Sequence, residues 1–206
     1  MLLELGPAQG PALLLAHGAG APMDSPFMEA FSAALADLGG RTLRFEFPYM
    51  AARRADGGKR PPDRMPKLEA AFGEAFAEAF RLIGDGPLFI GGKSMGGRVA
   101  THLGDSLPAA GVICLGYPFH PPGKPDKLRT AHLADLAVPT LIVQGERDPL
   151  GRRDEVEGYA LSPSIELIWE PDGDHDLKPR KASGRTHDEN VAAAARAAAR
   201  FMGAIG

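Results

Sequence analysis

A chain of 206 residues, 44% hydrophobic and 24% charged, is long enough to bury a core and reads as one domain, residues 1–206. A net charge of −3 leaves no basic footprint for nucleic acid, and a single cysteine, Cys114, excludes a disulfide framework or a multi-cysteine metal site. No apolar run approaches the roughly 20 residues that span a bilayer, and Glu4 with the short run Ala12–Ala16 does not make a signal peptide. The expectation is a cytoplasmic protein with no membrane or nucleic-acid partner.

In chain order, Leu2–Leu5 reads as a short edge strand and Gly6–Pro11 as a turn. Ala12–Ala16 is continuously apolar, as in a strand buried on both faces, and ends in the small-residue loop His17-Gly18-Ala19-Gly20. Pro26–Leu38 carries Phe27, Phe31, Leu35 and Leu38 on one helical face, and Gly39-Gly40 stops it. Arg41–Phe47 is strand-like and closed by Pro48; Glu46–Lys67 reads as a long irregular basic stretch. Met65–Ile83 is amphipathic, with Leu68, Phe72, Phe76 and Ile83 at helical spacing. Leu88–Gly92 is a strand, Met95–Leu107 a helix, Ala110–Leu115 a strand and Gly116–Pro125 a proline-rich loop. A short helix is expected around Leu128–Leu136, then strand Thr140–Gly145, helix Arg152–Ala160, strand Ile165–Trp169, a polar loop Glu170–Arg185 and an alanine-rich helix Asp188–Ile205. Such alternation predicts an α/β fold, a mostly parallel sheet with helices on both faces.

One stretch carries chemistry. Gly92-Lys93-Ser94-Met95-Gly96 lies between a strand and a helix and has the G-x-S-x-G spacing of a nucleophile elbow. There a serine sits on a tight, strained turn, and glycines two residues to either side allow the chain to approach itself. A phosphate-binding loop ending in Gly92-Lys93-Ser94 would require glycine at position 87, which is Pro87, and would place the strand before the loop rather than inside it.

A serine hydroxyl needs a base, an orienting carboxylate and donors for an oxyanion. In open α/β sheets these gather at the carboxyl ends of strands. The loops that follow strands supply Ser94, then Asp148, then His175, with backbone N–H groups of Ala19 and Met95 as oxyanion donors. Among the other histidines, His187 is the rival base; His17 reads as a brace of its loop, and His120 as a residue lining the mouth. Glu146 and Asp154 compete with Asp148, whose position after the strand favours it. The acidic run Glu170, Asp172, Asp174 and Asp176 reads as solvated surface rather than a metal site, and Cys114 as core. Lys93, Gly18, Gly20 and His120 are the candidate substrate-binding residues. Lys93, Lys124, Arg129 and the basic stretch 53–67 would favour anionic substrates.

With this serine–acid–histidine order, the chain resembles a small α/β-hydrolase of the dienelactone hydrolase-like group and its uncapped relatives. The likeness runs from His17-Gly18-Ala19-Gly20 through Ser94 to Gly145-Glu146-Arg147-Asp148 and Gly173-Asp174-His175. It implies an α/β-hydrolase fold with no large cap, and a cofactor-free, metal-free esterase acting on a small acyl substrate. Dienelactone hydrolases carry cysteine at the elbow where this chain has Ser94, so their substrate is not carried over. The rival expectation is a catalytically silent member serving as an interaction module.

Overall fold

Runs of apolar residues with no polar break can be satisfied only in strands covered on both faces. The computed structural model, which describes residues 2–205, places them so. Seven strands form one sheet: β1 (Leu3–Leu5), β2 (Ala12–Ala16), β3 (Arg41–Phe45), β4 (Leu88–Lys93), β5 (Val112–Leu115), β6 (Thr140–Gly145) and β7 (Ile165–Glu170). Their order is β1-β3-β2-β4-β5-β6-β7, parallel except for β1, which runs antiparallel to β3. Every residue of β2, β4, β5 and β6 is buried.

Side chains alternate between two cores. Leu14, Ile90, Val112 and Ile142 face the helices α3 (Met65–Ile83) and α4 (Met95–Leu103); Leu13, Phe89, Ile113 and Leu141 face α1 (Pro26–Ala36) and α6 (His187–Ile205). The chain leaves β2 to β3 on one side and returns to β4 on the other. The order therefore reverses between β2 and β4, and at such a point the loops after two adjacent strands diverge and leave a crevice. Register sets Ala16 opposite both Phe45 and Gly92, so the loop after β2 and the turn after β4 emerge side by side.

The stretch 46–67, expected to be irregular, holds a helix, α2 (Pro48–Asp56). Its charged residues mask a short periodic face in which only Tyr49 and Met50 are buried; Pro48 opens the helix where its missing N–H costs nothing, and Gly57 (φ 72°) ends it. Elsewhere the expected elements are present, and several are shorter. The helix after the elbow stops at Leu103, the stretch 128–136 retains a 3₁₀ turn at Ala131–Leu133, and Arg152–Ala160 reduces to α5 (Arg153–Val156). Between β5 and β6 there is room for this one turn and no cap.

Phe72 of α3 is fully buried against Phe45 (5.2 Å, edge to face) and Phe47 (6.5 Å). Phe72→Ala is expected to lower stability by about 3–5 kcal/mol, read from the urea midpoint; a loss under 1 kcal/mol would mean that α3 does not support the sheet as described.

Candidate active site

The turn after β4 holds Ser94 at φ 52°, ψ −113°, a conformation that strains any residue with a Cβ. Neighbouring bonds hold it there: the Ser94 N–H donates to Leu115 O (3.0 Å), and its carbonyl accepts the Arg98 N–H (3.0 Å). A Cβ on Gly92 would lie 2.6 Å from Ala16 O, and one on Gly96 would lie 2.6 Å from the same oxygen. Both positions thus have to be glycine, because β2 and α4 meet at this carbonyl.

Ser94, His175 and Asp148 form one hydrogen-bonded chain. His175 Nε2 lies 2.8 Å from Ser94 Oγ, and His175 Nδ1 lies 2.7 Å from Asp148 Oδ2. A carboxylate only accepts, so Nδ1 carries the proton and Nε2 is free to accept from the serine hydroxyl. Asp148 is fully buried; it also accepts from the Leu150 N–H (2.8 Å, Oδ1) and from Gln144 Nε2 (2.8 Å, Oδ2). Gln144, itself fully buried at the end of β6, accepts the Tyr117 N–H (2.7 Å) and donates to Tyr117 O (3.1 Å). Gln144 has no part in the sequence motifs. Its signal was a lone amide in an otherwise apolar buried strand.

The loop after β2 is held from behind. His17, fully buried, accepts the Phe47 N–H on Nε2 (3.1 Å), so its Nδ1–H donates to Gly18 O (2.6 Å). Burial lowers its pKa and keeps it neutral. The Tyr49 hydroxyl shares its proton between the carbonyls of Ala19 (3.0 Å) and Gly18 (3.3 Å), and burial raises its pKa to about 12. No sequence signal marks Tyr49, because its helix lies in a charged stretch with only Tyr49 and Met50 buried. With these carbonyls tied down, the Ala19 N–H has no acceptor among the described residues, and neither does the Met95 N–H at the start of α4. The Met95 amide adds the positive end of a helix dipole.

Ser94 and Ala19 line two recesses. The first, of 610 Å³, includes Gly18, Gly20, Phe27, Lys93, His175 and His187; the second, of 390 Å³, includes Met95, Arg98 and Arg129. His187 does not reach Ser94. It meets Asp176 O (2.8 Å) from the first turn of α6. Lys93 is buried beside Ser94, and its ammonium is already engaged: it donates to His175 O (2.8 Å), pairs with Asp176 (3.1 Å) and stands over the Phe27 ring. Burial lowers its pKa against the pull of Asp176. His120, expected at the mouth, lines neither recess. Its ring is buried, with Nδ1 against Pro121 O (2.9 Å) and Nε2 3.5 Å from Glu155, because the proline-rich loop folds it inward. Cys114 is buried, and burial pushes its thiol pKa up, as a core residue requires.

The acidic run is partly solvated, with Asp176 exposed, and also serves as scaffold. Asp172 pairs with Arg147 (2.9 Å) and Arg180, and Asp174 Oδ1 accepts the N–H groups of Asp176 (2.9 Å) and Lys178 (3.0 Å), which shapes the turn that carries His175. Among the described residues, no three His, Cys, Asp or Glu are grouped to hold a metal ion, and no helix is long and apolar enough to cross a membrane.

The alpha/beta hydrolase domain model matches residues 9–203. The chain belongs to the alpha/beta hydrolase domain family. It is similar in structure to a dienelactone hydrolase from Anabaena variabilis (21% identity, TM-score 0.74, covering 98% of this chain and 90% of that one). It is likewise similar to an alpha-beta serine hydrolase homologue from Coxiella burnetii (18%, 0.72, 95% and 90%). A hydrolase of the alpha/beta superfamily from Xanthomonas campestris also matches (25%, 0.63, 95% and 99%).

At the end of β7 in this hydrolase fold, Glu170 is buried with Arg185 3.9 Å away. Burial raises its pKa to about 7, against the opposing pull of Arg185 and Arg196. The folded state then holds a proton that the unfolded chain releases near pH 4.5, so stability falls as pH rises from there to about 7. Glu170→Gln removes that loss. Urea midpoints are expected to show the variant close to the parent at pH 5 and more stable by roughly 2 kcal/mol at pH 8. Equal differences at both pH values would show that Glu170 is ionised in the fold.

Proposed function

We propose that the chain is a serine hydrolase that cleaves a carboxylic ester, or a related acyl bond, of a small soluble substrate through an acyl-enzyme. The observation that carries this reading is the bond between Ser94 Oγ and His175 Nε2 (2.8 Å), with His175 fixed by Asp148. Ser94 Oγ attacks the carbonyl carbon as His175 Nε2 takes its proton, and the charge on the carbonyl oxygen is met by the Ala19 and Met95 N–H groups. His175 then gives the proton to the leaving oxygen as the old C–O bond breaks. A water enters, loses its proton to His175 and releases the acid, which restores Ser94. This route draws on no metal or organic cofactor. The serine hydrolase likeness of the Coxiella neighbour supports it, as does a site with no cap above it.

The test is hydrolysis of p-nitrophenyl butyrate. His175→Ala is expected to lower kcat by about 10³-fold or more, while His187→Ala costs far less. The reverse order would move the base to His187; no turnover by folded parent protein would end the esterase reading.

A further inference from the structure

Ser94 lies between two recesses with different walls. In the proposed reaction one atom, His175 Nε2, both takes the serine proton and returns it to the leaving oxygen. The leaving group therefore occupies the recess that His175 lines, and the acyl chain occupies the other, whose lining includes Met95 but not His175.

That acyl recess is walled by apolar groups, among them Met65, Leu68, Met95, Pro118 and Leu150, and by two arginines. Arg98 stands one helical turn beyond Ser94, its N–H on Ser94 O (3.0 Å). Arg129 is anchored by its backbone, the N–H to Phe119 O (2.7 Å) and the carbonyl to the Tyr117 hydroxyl (2.9 Å). Neither guanidinium has a hydrogen bond or ion pair with a described residue, and Arg98 Nε is buried without a partner. Burial, and then the charge of Arg98, lowers the pKa of Arg129. The one carboxylate on this wall, Asp63, is engaged elsewhere, Oδ1 on Lys67 (2.8 Å) and Oδ2 on the Tyr49 N–H (3.1 Å). Burial, and then Arg98, lowers the pKa of the nearby His102 against the pull of Glu69 3.4 Å away, and burial lowers that of His132. Of the other cations around the site, Arg54 pairs with Glu46 and Asp24, Arg60 with Asp56 and Lys93 with Asp176, whereas Lys178, on the wall of the first recess, has no ion pair with a described residue.

Two half-buried like charges repel unless an anion joins them, and a guanidinium fork matches a carboxylate. We infer that Arg98 and Arg129 bind the terminal carboxylate of the acyl group, so that the substrate is a monoester of a dicarboxylic acid with a short methylene chain. This rests on Ser94 as the nucleophile. In the balanced reaction the monoester and one water give the alcohol and the dicarboxylic acid. The Ser94 Oγ–acyl bond forms as the alkoxy C–O bond breaks, and is itself broken by water.

The test compares mono-p-nitrophenyl adipate with p-nitrophenyl hexanoate, two six-carbon acyl groups that differ at the far end. The parent protein is expected to favour the adipoyl ester at least tenfold in kcat/KM. Arg98→Gln and Arg129→Gln are each expected to lower the adipoyl-to-hexanoyl ratio about tenfold, through the KM for the adipoyl ester. Arg98→Lys and Arg129→Lys, which keep the charge and the stem, retain part of the preference. Free adipate should inhibit hexanoyl turnover competitively in the parent protein. Turnover of the hexanoyl ester with no adipoyl preference, or a ratio unmoved by both Gln variants, would overturn this inference alone. Turnover of neither ester by folded protein would overturn the hydrolase reading and this inference with it.

Discussion

The site depends on one close approach, that of Gly92 and Gly96 to the carbonyl of Ala16. The elbow can turn within a single residue because no side chain stands between β2 and α4. That turn leaves Ser94 at φ 52°, a cost of roughly 1–3 kcal/mol. The bonds from the Ser94 N–H to Leu115 O and from the Arg98 N–H to Ser94 O help offset it, as does the dense packing of α4 on the sheet. The same approach brings the loop after β2 beside Ser94. A strained residue and its proposed oxyanion donors thus share one structural cause, the reversal of strand order between β2 and β4.

Around this point the protein relies on buried neutral groups to hold charged or reactive ones. Gln144 joins Asp148 to the backbone of Tyr117, and His17 and Tyr49 draw back the carbonyls of Gly18 and Ala19. Each is fully or largely buried with its hydrogen bonds satisfied, which makes the geometry stiff: losing a partner would leave an unpaired polar group in a dry site. Lys93 does the same with a charge. It ties the His175 carbonyl to Asp176 and so fixes the turn on which the imidazole stands. An unusual cation next to the elbow is therefore accounted for by the loop it holds, and two unpaired arginines, Arg98 and Arg129, lie on the other side of Ser94.

Much of this was legible in the residues. The buried strands announced themselves as apolar runs, and the elbow spacing, with Asp148 and His175 each directly after a strand, located residues that the structure joins within 2.8 Å. Three things were not legible. Helix α2 was hidden because its buried face is only Tyr49 and Met50 within a charged stretch. The inward turn of His120 depends on the path of a proline-rich loop, for which periodicity gives no guide. Whether a given arginine is free or paired is a property of tertiary contact. Within the basic stretch 53–67, Arg54, Arg60 and Lys67 have carboxylate partners while Arg53, Lys59 and Arg64 have none, and Arg98, unremarkable within a helix, has none either.

The central claim is that the chain Asp148–His175–Ser94 makes Ser94 a nucleophile. Intact-mass spectrometry after incubation with a neutral alkyl fluorophosphonate tests it most directly. The account expects one adduct on the parent protein, mapping to Ser94, none on Ser94→Ala, and labelling slowed by orders of magnitude in Asp148→Asn, where the amide no longer holds His175 in the tautomer that accepts the serine proton. An unlabelled, folded parent protein, or an adduct that persists in Ser94→Ala, would contradict it.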